Sequence, residues 1–188
     1  MAQQQWQQLK RMLRPLWVFS PERLWMASIA LTRRGHWVLA FWLKHLNGFI
    51  YHNSLSPGAS VGPGVWLGHN GLGIVINPNV EIGRNVLIWH HVTLAAGRPE
   101  RPARGGGHGE NGSGPAGTGQ RARIVVEDNV VIGANAVVIA PRGRTLTIGR
   151  GARIGAGTVV TGDVPAGATL VGASPRLVES PEPAGEHE

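Results

Sequence analysis

The chain has 188 residues, enough for one domain with a sizeable core, and carries 18 Lys and Arg against 11 Asp and Glu. It contains no cysteine, which excludes a disulfide framework and a thiol nucleophile. The 28 glycines follow no collagen period, and no uncharged apolar run approaches the ~18–20 residues of a membrane span.

The positive charge is concentrated at the start. Residues 1–53 hold Lys10, Arg11, Arg14, Arg23, Arg33, Arg34 and Lys44 against Glu22 alone, together with Trp6, Trp17, Trp25, Trp37 and Trp42. Residues 1–18 read as a short amphipathic helix, with Trp6, Leu9, Met12 and Leu13 on one side and Pro15 stopping it. The next helix has clear punctuation: Ser20 as N-cap, Pro21 at the first position, Glu22 in the first turn, Arg33 and Arg34 in the last, then Gly35. A third apolar helix is expected over 36–46, ending at Asn47-Gly48. Such helices either pack on the end of the following domain or on a neighbouring subunit, or rest on a membrane surface. No nucleic-acid fold signature accompanies the basic residues, so nucleic acid is not an expected partner. No leader with a cleavage site is apparent. A cytoplasmic location is expected, with a peripheral position at the inner membrane face as the alternative.

From Leu55 to Val160 the chain is a ladder of six-residue steps. Leu55, Val61 and Leu67 form one series, and Ile76, Ile82, Ile88 and Leu94 a second. Val126, Ile132 and Val138 form a third, and Ile148, Ile154 and Val160 a fourth. A glycine often follows the aliphatic (Gly62, Gly68, Gly83, Gly133, Gly149, Gly155). No helix has a period of six. A parallel β-helix does, because each flat side takes one hexad and three hexads close a coil of about eighteen residues. The register slips at Gly71–Gly73 and at Pro141–Thr147, where extra residues must bulge at a corner. The large break, 95–123, is Gly-rich and nearly devoid of apolar side chains at its centre, and reads as an extruded loop. Arg98, Arg101, Arg104, Arg121 and Arg123 make its ends basic, which suits a phosphate-bearing ligand. After Val160 comes a turn-rich cap, and the acidic tail 179–188 is expected to be disordered. The expected fold is therefore an all-β solenoid with three parts: a helical segment 1–53, a β-helix domain 54–178 with loop 95–123, and the tail.

Several segments in this order carry a family likeness: Leu67-Gly-His69-Asn-Gly-Leu-Gly73, then Ile88-Trp-His90-His91-Val-Thr-Leu94, the loop, Ile132-Gly-Ala-Asn-Ala136 and Asp163-Val-Pro-Ala. Over about residues 53–178 they resemble the hexapeptide-repeat acyltransferases, and among these the serine O-acetyltransferase branch. The resemblance implies a left-handed parallel β-helix, a homotrimer, and acetyl-CoA as co-substrate in the groove between subunits. The hand is an inference from the family, since ordinary crossovers are right-handed. The resemblance also implies His69 as the general base. A free hydroxyl is a weak nucleophile, and imidazole is the side chain whose ordinary pKa suits proton transfer near neutrality. In the family the matching His takes the acceptor's proton and returns one to the leaving sulfur.

Around His69, the residues His90, His91 and Asn70 are candidates for facing the acceptor. Adjacent residues on a flat β-helix side point to opposite faces, so one of His90 and His91 must point outward or lie at a corner; a packed or solvated role for either stays open. The stretch with Ala95 and Ala96 matches a family segment that approaches the thioester and offers backbone N–H groups. Ala134 and Asn135 match the corner along which the pantetheine arm runs. Arg153 and Arg176 lie towards the nucleotide phosphates. No metal is expected.

The departures from the family concern the acceptor. Serine acetyltransferases carry an Asp before the matched His and another just before the first hexad, where this chain has Gly68 and Ser54. The second family His aligns with Arg123, and His108 is a candidate substitute. Acetyl-CoA-dependent O-acetyl transfer is the expected activity. Serine is the acceptor implied by the resemblance, with a sugar or surface-polysaccharide unit as the alternative. A non-catalytic β-helical scaffold with a membrane-surface N-terminus is the alternative of another class.

Overall fold

The computed structural model describes residues 20–97 and 121–173. The first predicted helix, Arg98, Arg101, Arg104, His108, Arg176 and the acidic tail lie outside them.

Helix α1 spans Pro21–Arg33, and Ser20 caps it by accepting from the Arg23 N–H at 3.3 Å. Helix α2 spans Trp37–Tyr51, so it does not end at Asn47-Gly48 as expected. The reason is tertiary. Asn47 is buried; its Nδ2 donates to Pro21 O at 2.9 Å and its Oδ1 accepts from Asn53 Nδ2 at 3.3 Å. An amide engaged across the structure has no need to cap its own helix, and the left-handed cap falls instead on His52, at φ 52°.

The remaining residues build a three-sided parallel β-helix. The first side stacks β1 (Ser54–Leu55), β4 (Val75–Ile76), β7 (Thr93–Ala96), β10 (Val137–Ala140) and β13 (Val159–Val160). The second stacks β2 (Ser60–Val61), β5 (Val80–Ile82), β8 (Arg123–Val126) and β11 (Thr145–Ile148). The third stacks β3 (Trp66–Leu67), β6 (Leu87–Ile88), β9 (Val131–Ile132), β12 (Arg153–Ile154) and β14 (Thr169–Leu170). All pairings between them are parallel. The ladder aliphatics point inward and are buried, Val61 in the first coil only partly so. Each such burial contributes roughly 1.5–3 kcal/mol.

The stacking of coils decides several details that the hexad pattern leaves open. The glycine after the aliphatic does not turn the corner. It lets successive coils touch: a Cβ on Gly62 would lie 2.5 Å from Gly83 O in the next coil. The turning residue comes two places later, with positive φ at Gly64, Asn85, His91, Asn129, Asn135, Gly151 and Gly157. Both ends of the predicted loop 95–123 belong to strands, and residues 98–120 lie outside the described ones. Ala95 and Ala96 pair with Ile139 and Ala140 in β7, and Arg123 opens β8 opposite Thr145, because the inward alternation continues through Ala96 and Ile124. Finally, the cap after Val160 is a last partial coil: Val164 bridges to Ile148 and β14 pairs with β12.

The helices close the N-terminal end of this prism. Trp25 and Ile29 of α1 belong to the same buried cluster as Leu55, Leu67 and Ile74. Trp25 Nε1 donates to Ser56 O at 2.8 Å, and the Glu22 carboxylate accepts from the Leu67 N–H at 3.0 Å. The packing reading of α1 is therefore realised within one chain.

Candidate active site

One corner of the prism, where the third side passes to the first, gathers most of the predicted site. In the first coil this corner is the 3-10 turn Gly68–Gly71. In the next it is Trp89–Val92, then Gly133–Ala136, then Gly155–Thr158. Backbone hydrogen bonds stitch these corners into a continuous edge: His91 N to Leu72 O at 2.8 Å, Asn135 N to His90 O at 3.1 Å, and Gly157 N to Ala134 O at 2.8 Å.

His69 and Asn70 stand consecutively in the left-handed region, at φ 51° and 57°. Two such non-glycine residues in a row cost on the order of 1–3 kcal/mol each, a strain that clusters at functional sites. The turn holds because Leu72 N donates to His69 O at 3.2 Å and Gly73 N to His52 O at 3.0 Å. The exposed His69 ring sits edge-to-face against His90, with centroids 4.7 Å apart, and tilted against Trp89 at 5.7 Å. His90 in turn meets His91 at 5.6 Å. Both histidines lie in the corner turn, so the alternation of a flat side does not separate them. His90 is the one that faces His69, and its Nδ1 is buried without a hydrogen-bond partner. His91 occupies the left-handed turning position and is exposed, its ring lying over Gly73, where a Cβ would fall 2.0 Å from Nδ1.

Trp66 and Trp89 complete the cluster, edge-to-face with centroids 5.8 Å apart, and Trp66 is half-exposed. Sequence reasoning assigned them no role, although a signal was there. At the other three turns of this corner the residue after the aliphatic is Gly68, Gly133 or Gly155, and only Ile88 is followed by a bulky side chain. Trp89 also crowds the position where the family carries the acid. A Cβ on Gly68 would lie 2.8 Å from Trp89 Cε3 and 3.3 Å from its Cα. A Gly68→Asp protein is therefore expected to lose about 1–3 kcal/mol to overpacking. Thermal unfolding of it beside a Gly68→Asp/Trp89→Ala protein checks this, since the second change makes room for the carboxylate.

The other predicted residues are distributed. Ala134 and Asn135 lie on the same edge as His69, two coils along. Arg153 is exposed on the outer face of the third side. It is three strands from Trp66 through Leu87 and Val131, or about 14 Å at the usual strand spacing. Ala95 and Ala96 are not brought to His69 in this chain. They end β7 at the opposite corner, where the first side gives way to 98–120. Arg123 is there too, paired with Glu81. Arg121 and Arg123 line a cavity of about 290 Å³ with Ser60, Asn79 and Glu81, away from the histidines. Ser54 is exposed and pairs with Val75. Among the described residues, no group of three or more His, Asp or Glu is arranged to hold a metal ion.

No family model matches the chain. Among curated relatives, a serine acetyltransferase of Bacillus licheniformis is 33% identical over 157 residues, covering 82% of this chain and 62% of its own length. A serine acetyltransferase of Helicobacter pylori is 35% identical over 149 residues, covering 79% of this chain and 74% of its own. Among solved structures, the serine acetyltransferase of Neisseria gonorrhoeae in complex with serine superposes with a TM-score of 0.61 at 30% identity, over 81% of this chain and 53% of that one. The chain thus spans less than two thirds of the Bacillus licheniformis relative and about half of the gonococcal one. The prism is the left-handed parallel β-helix that the sequence resemblance implied. With more than a third of matched positions identical across three quarters of a relative's length, the chain belongs to the serine acetyltransferase family.

Proposed function

We propose that the protein transfers the acetyl group of acetyl-CoA to the hydroxyl of a small acceptor, with His69 as the general base. The observation that carries this reading is His69 itself, held in a strained turn at an exposed corner with its ring against His90 and Trp89. His69 removes the hydroxyl proton as the oxygen attacks the thioester carbonyl carbon. It then gives that proton to the sulfur as the C–S bond breaks, so no net charge accumulates on the protein. His90 faces the acceptor beside it. Ala134 and Asn135, continuing the edge, guide the pantetheine arm, and Arg153 answers the phosphates further along the same side. Ala95 and Ala96 sit at the wrong corner to supply the oxyanion N–H groups within one chain, which favours a homotrimer whose neighbouring subunit brings them to His69.

Serine is the acceptor favoured by the relatives' names and by the serine bound to the gonococcal protein. The relatives give the saccharide alternative no support; on its side are Gly68 and Ser54 in place of the family's carboxylates, the basic, Trp-rich segment 1–53, and the Trp66–Trp89 pair. Measuring free-thiol release from acetyl-CoA with serine and with a panel of sugars separates them. Release that depends on serine is expected. Release only with sugars transfers the reading to a saccharide acceptor, and no release with any acceptor removes it.

A further inference from the structure

Helix α2 turns its apolar side outward. Its inward arc is narrow: Ala40 and Asn47 are buried, and Leu43, Lys44, Gly48 and Tyr51 partly so. The rest of the circumference carries Trp37, Val38, Leu39, Phe41, Trp42, Leu46, Phe49 and Ile50, interrupted only by His45. Trp37 is 73% exposed, Trp42 65% and Phe49 83%. A continuous strip of large apolar side chains of this kind is not left bare in water without a partner.

The charges around it select the partner. Arg23, Arg33, Arg34 and Lys44 are the Arg and Lys residues of 20–53; Arg33 donates from Nη2 to Ser60 Oγ at 3.5 Å and Lys44 is partly buried, whereas Arg23 and Arg34 are exposed, the latter three residues before Trp37. Glu22 is the one carboxylate there, and it is engaged by the Leu67 N–H. A two-fold contact between copies would bring two like-charged surfaces together; a contact around the threefold of the proposed homotrimer is the competing occupant, which the sedimentation measurement below reads. An anionic bilayer surface reverses that sign: headgroup phosphates meet the arginines while Trp and Phe sink to the level of the acyl boundary. No helix among the described residues is long and apolar enough to cross a membrane, so the contact lies in the plane of the surface.

We propose that α2 docks the protein on an anionic lipid surface, with Trp37, Trp42 and Phe49 inserted and the exposed Arg23 and Arg34 at the headgroups. The chain leaves α2 through His52, whose carbonyl accepts from Gly73 N at 3.0 Å, so the docked helix is tied directly to the His69 turn.

The test uses the full chain with vesicles of phosphatidylcholine alone or mixed equally with phosphatidylglycerol, read by co-sedimentation and tryptophan fluorescence. Binding to the mixed vesicles with a blue shift is expected. It should fall roughly tenfold or more in a Trp37→Ser/Trp42→Ser/Phe49→Ser protein, since both insertion and charge are needed for stable anchoring. Those side chains are exposed, so the variant should unfold at the wild-type temperature. An Arg23→Glu/Arg34→Glu protein should lose the preference for phosphatidylglycerol while keeping its fold. Equal binding by the aromatic variant overturns the proposal. So does absence of vesicle binding, whether or not sedimentation velocity shows a wild-type oligomer that the same variant breaks, the result for a second copy as occupant.

Discussion

A His69→Asn protein is expected to lose about 10²–10⁴-fold in kcat/KM for acetyl transfer while melting at the wild-type temperature. Asparagine is the informative replacement because the site is a backbone conformation as well as a side chain. His69 lies at φ 51° and is followed by Asn70 at φ 57°. Most residues with a Cβ resist that region, but Asn enters it several-fold more readily. The variant therefore keeps the 3-10 turn, the approach to His90 and the cover over Trp89, and lacks only a base that can cycle its proton near neutrality. An alanine variant would confound the two effects, since Ala favours unwinding of the left-handed turn. Steady-state thiol release together with thermal unfolding makes the separation. Retention of more than about a tenth of the wild-type rate by a folded His69→Asn protein removes His69 from the role of base.

Replacing Trp25 by Ala is expected to cost about 3–5 kcal/mol of stability, the largest single loss anticipated outside the ladder itself. Trp25 is almost completely buried, packs into the prism's own core with Ile29, and donates to Ser56 O at 2.8 Å. A solenoid coil buries its apolar side chains only against its neighbours, so the first coil needs a cap. Without the indole, Leu55 and Ala59 at that end open to water. Trp25→Phe keeps most of the apolar volume and removes the shorter of two donors to Ser56 O, the Ala59 N–H at 3.3 Å remaining, so it should cost a smaller amount, about 1–3 kcal/mol. Denaturant unfolding at constant slope distinguishes the two variants. Equal midpoints for wild type and Trp25→Ala would mean that α1 does not close the prism.

Local rules were sufficient for the repeating parts of this molecule. A period of six aliphatics gave the inward ladder from Leu55 to Val160, and Ser20, Pro21 and Glu22 located the start of α1, because caps and side-chain alternation depend on near neighbours in the chain. The corner bearing His69 was legible for the same reason: an extra turn has to leave a regular solenoid, and Gly71–Gly73 marks where it does.

The rest depended on residues that meet across coils. Asn47 looked like a helix stop and is a buried bridge between Pro21 and Asn53. His90 and His91 looked like alternating positions on a side and are successive corner residues, one facing His69 and the other turning the chain. Gly68 stands where the family has a carboxylate, and only the structure shows that Trp89, twenty-one residues later, lies against it. The apolar composition of 37–51 was visible from the start, but which arc of α2 faces the prism was not. What this sequence determined alone is its repeat, since one hexad specifies the next by simple alternation and burial. What only the tertiary structure decided is which side chains meet at the corner and which face of α2 turns outward, because both arise where side chains about one coil or more apart compete for the same volume.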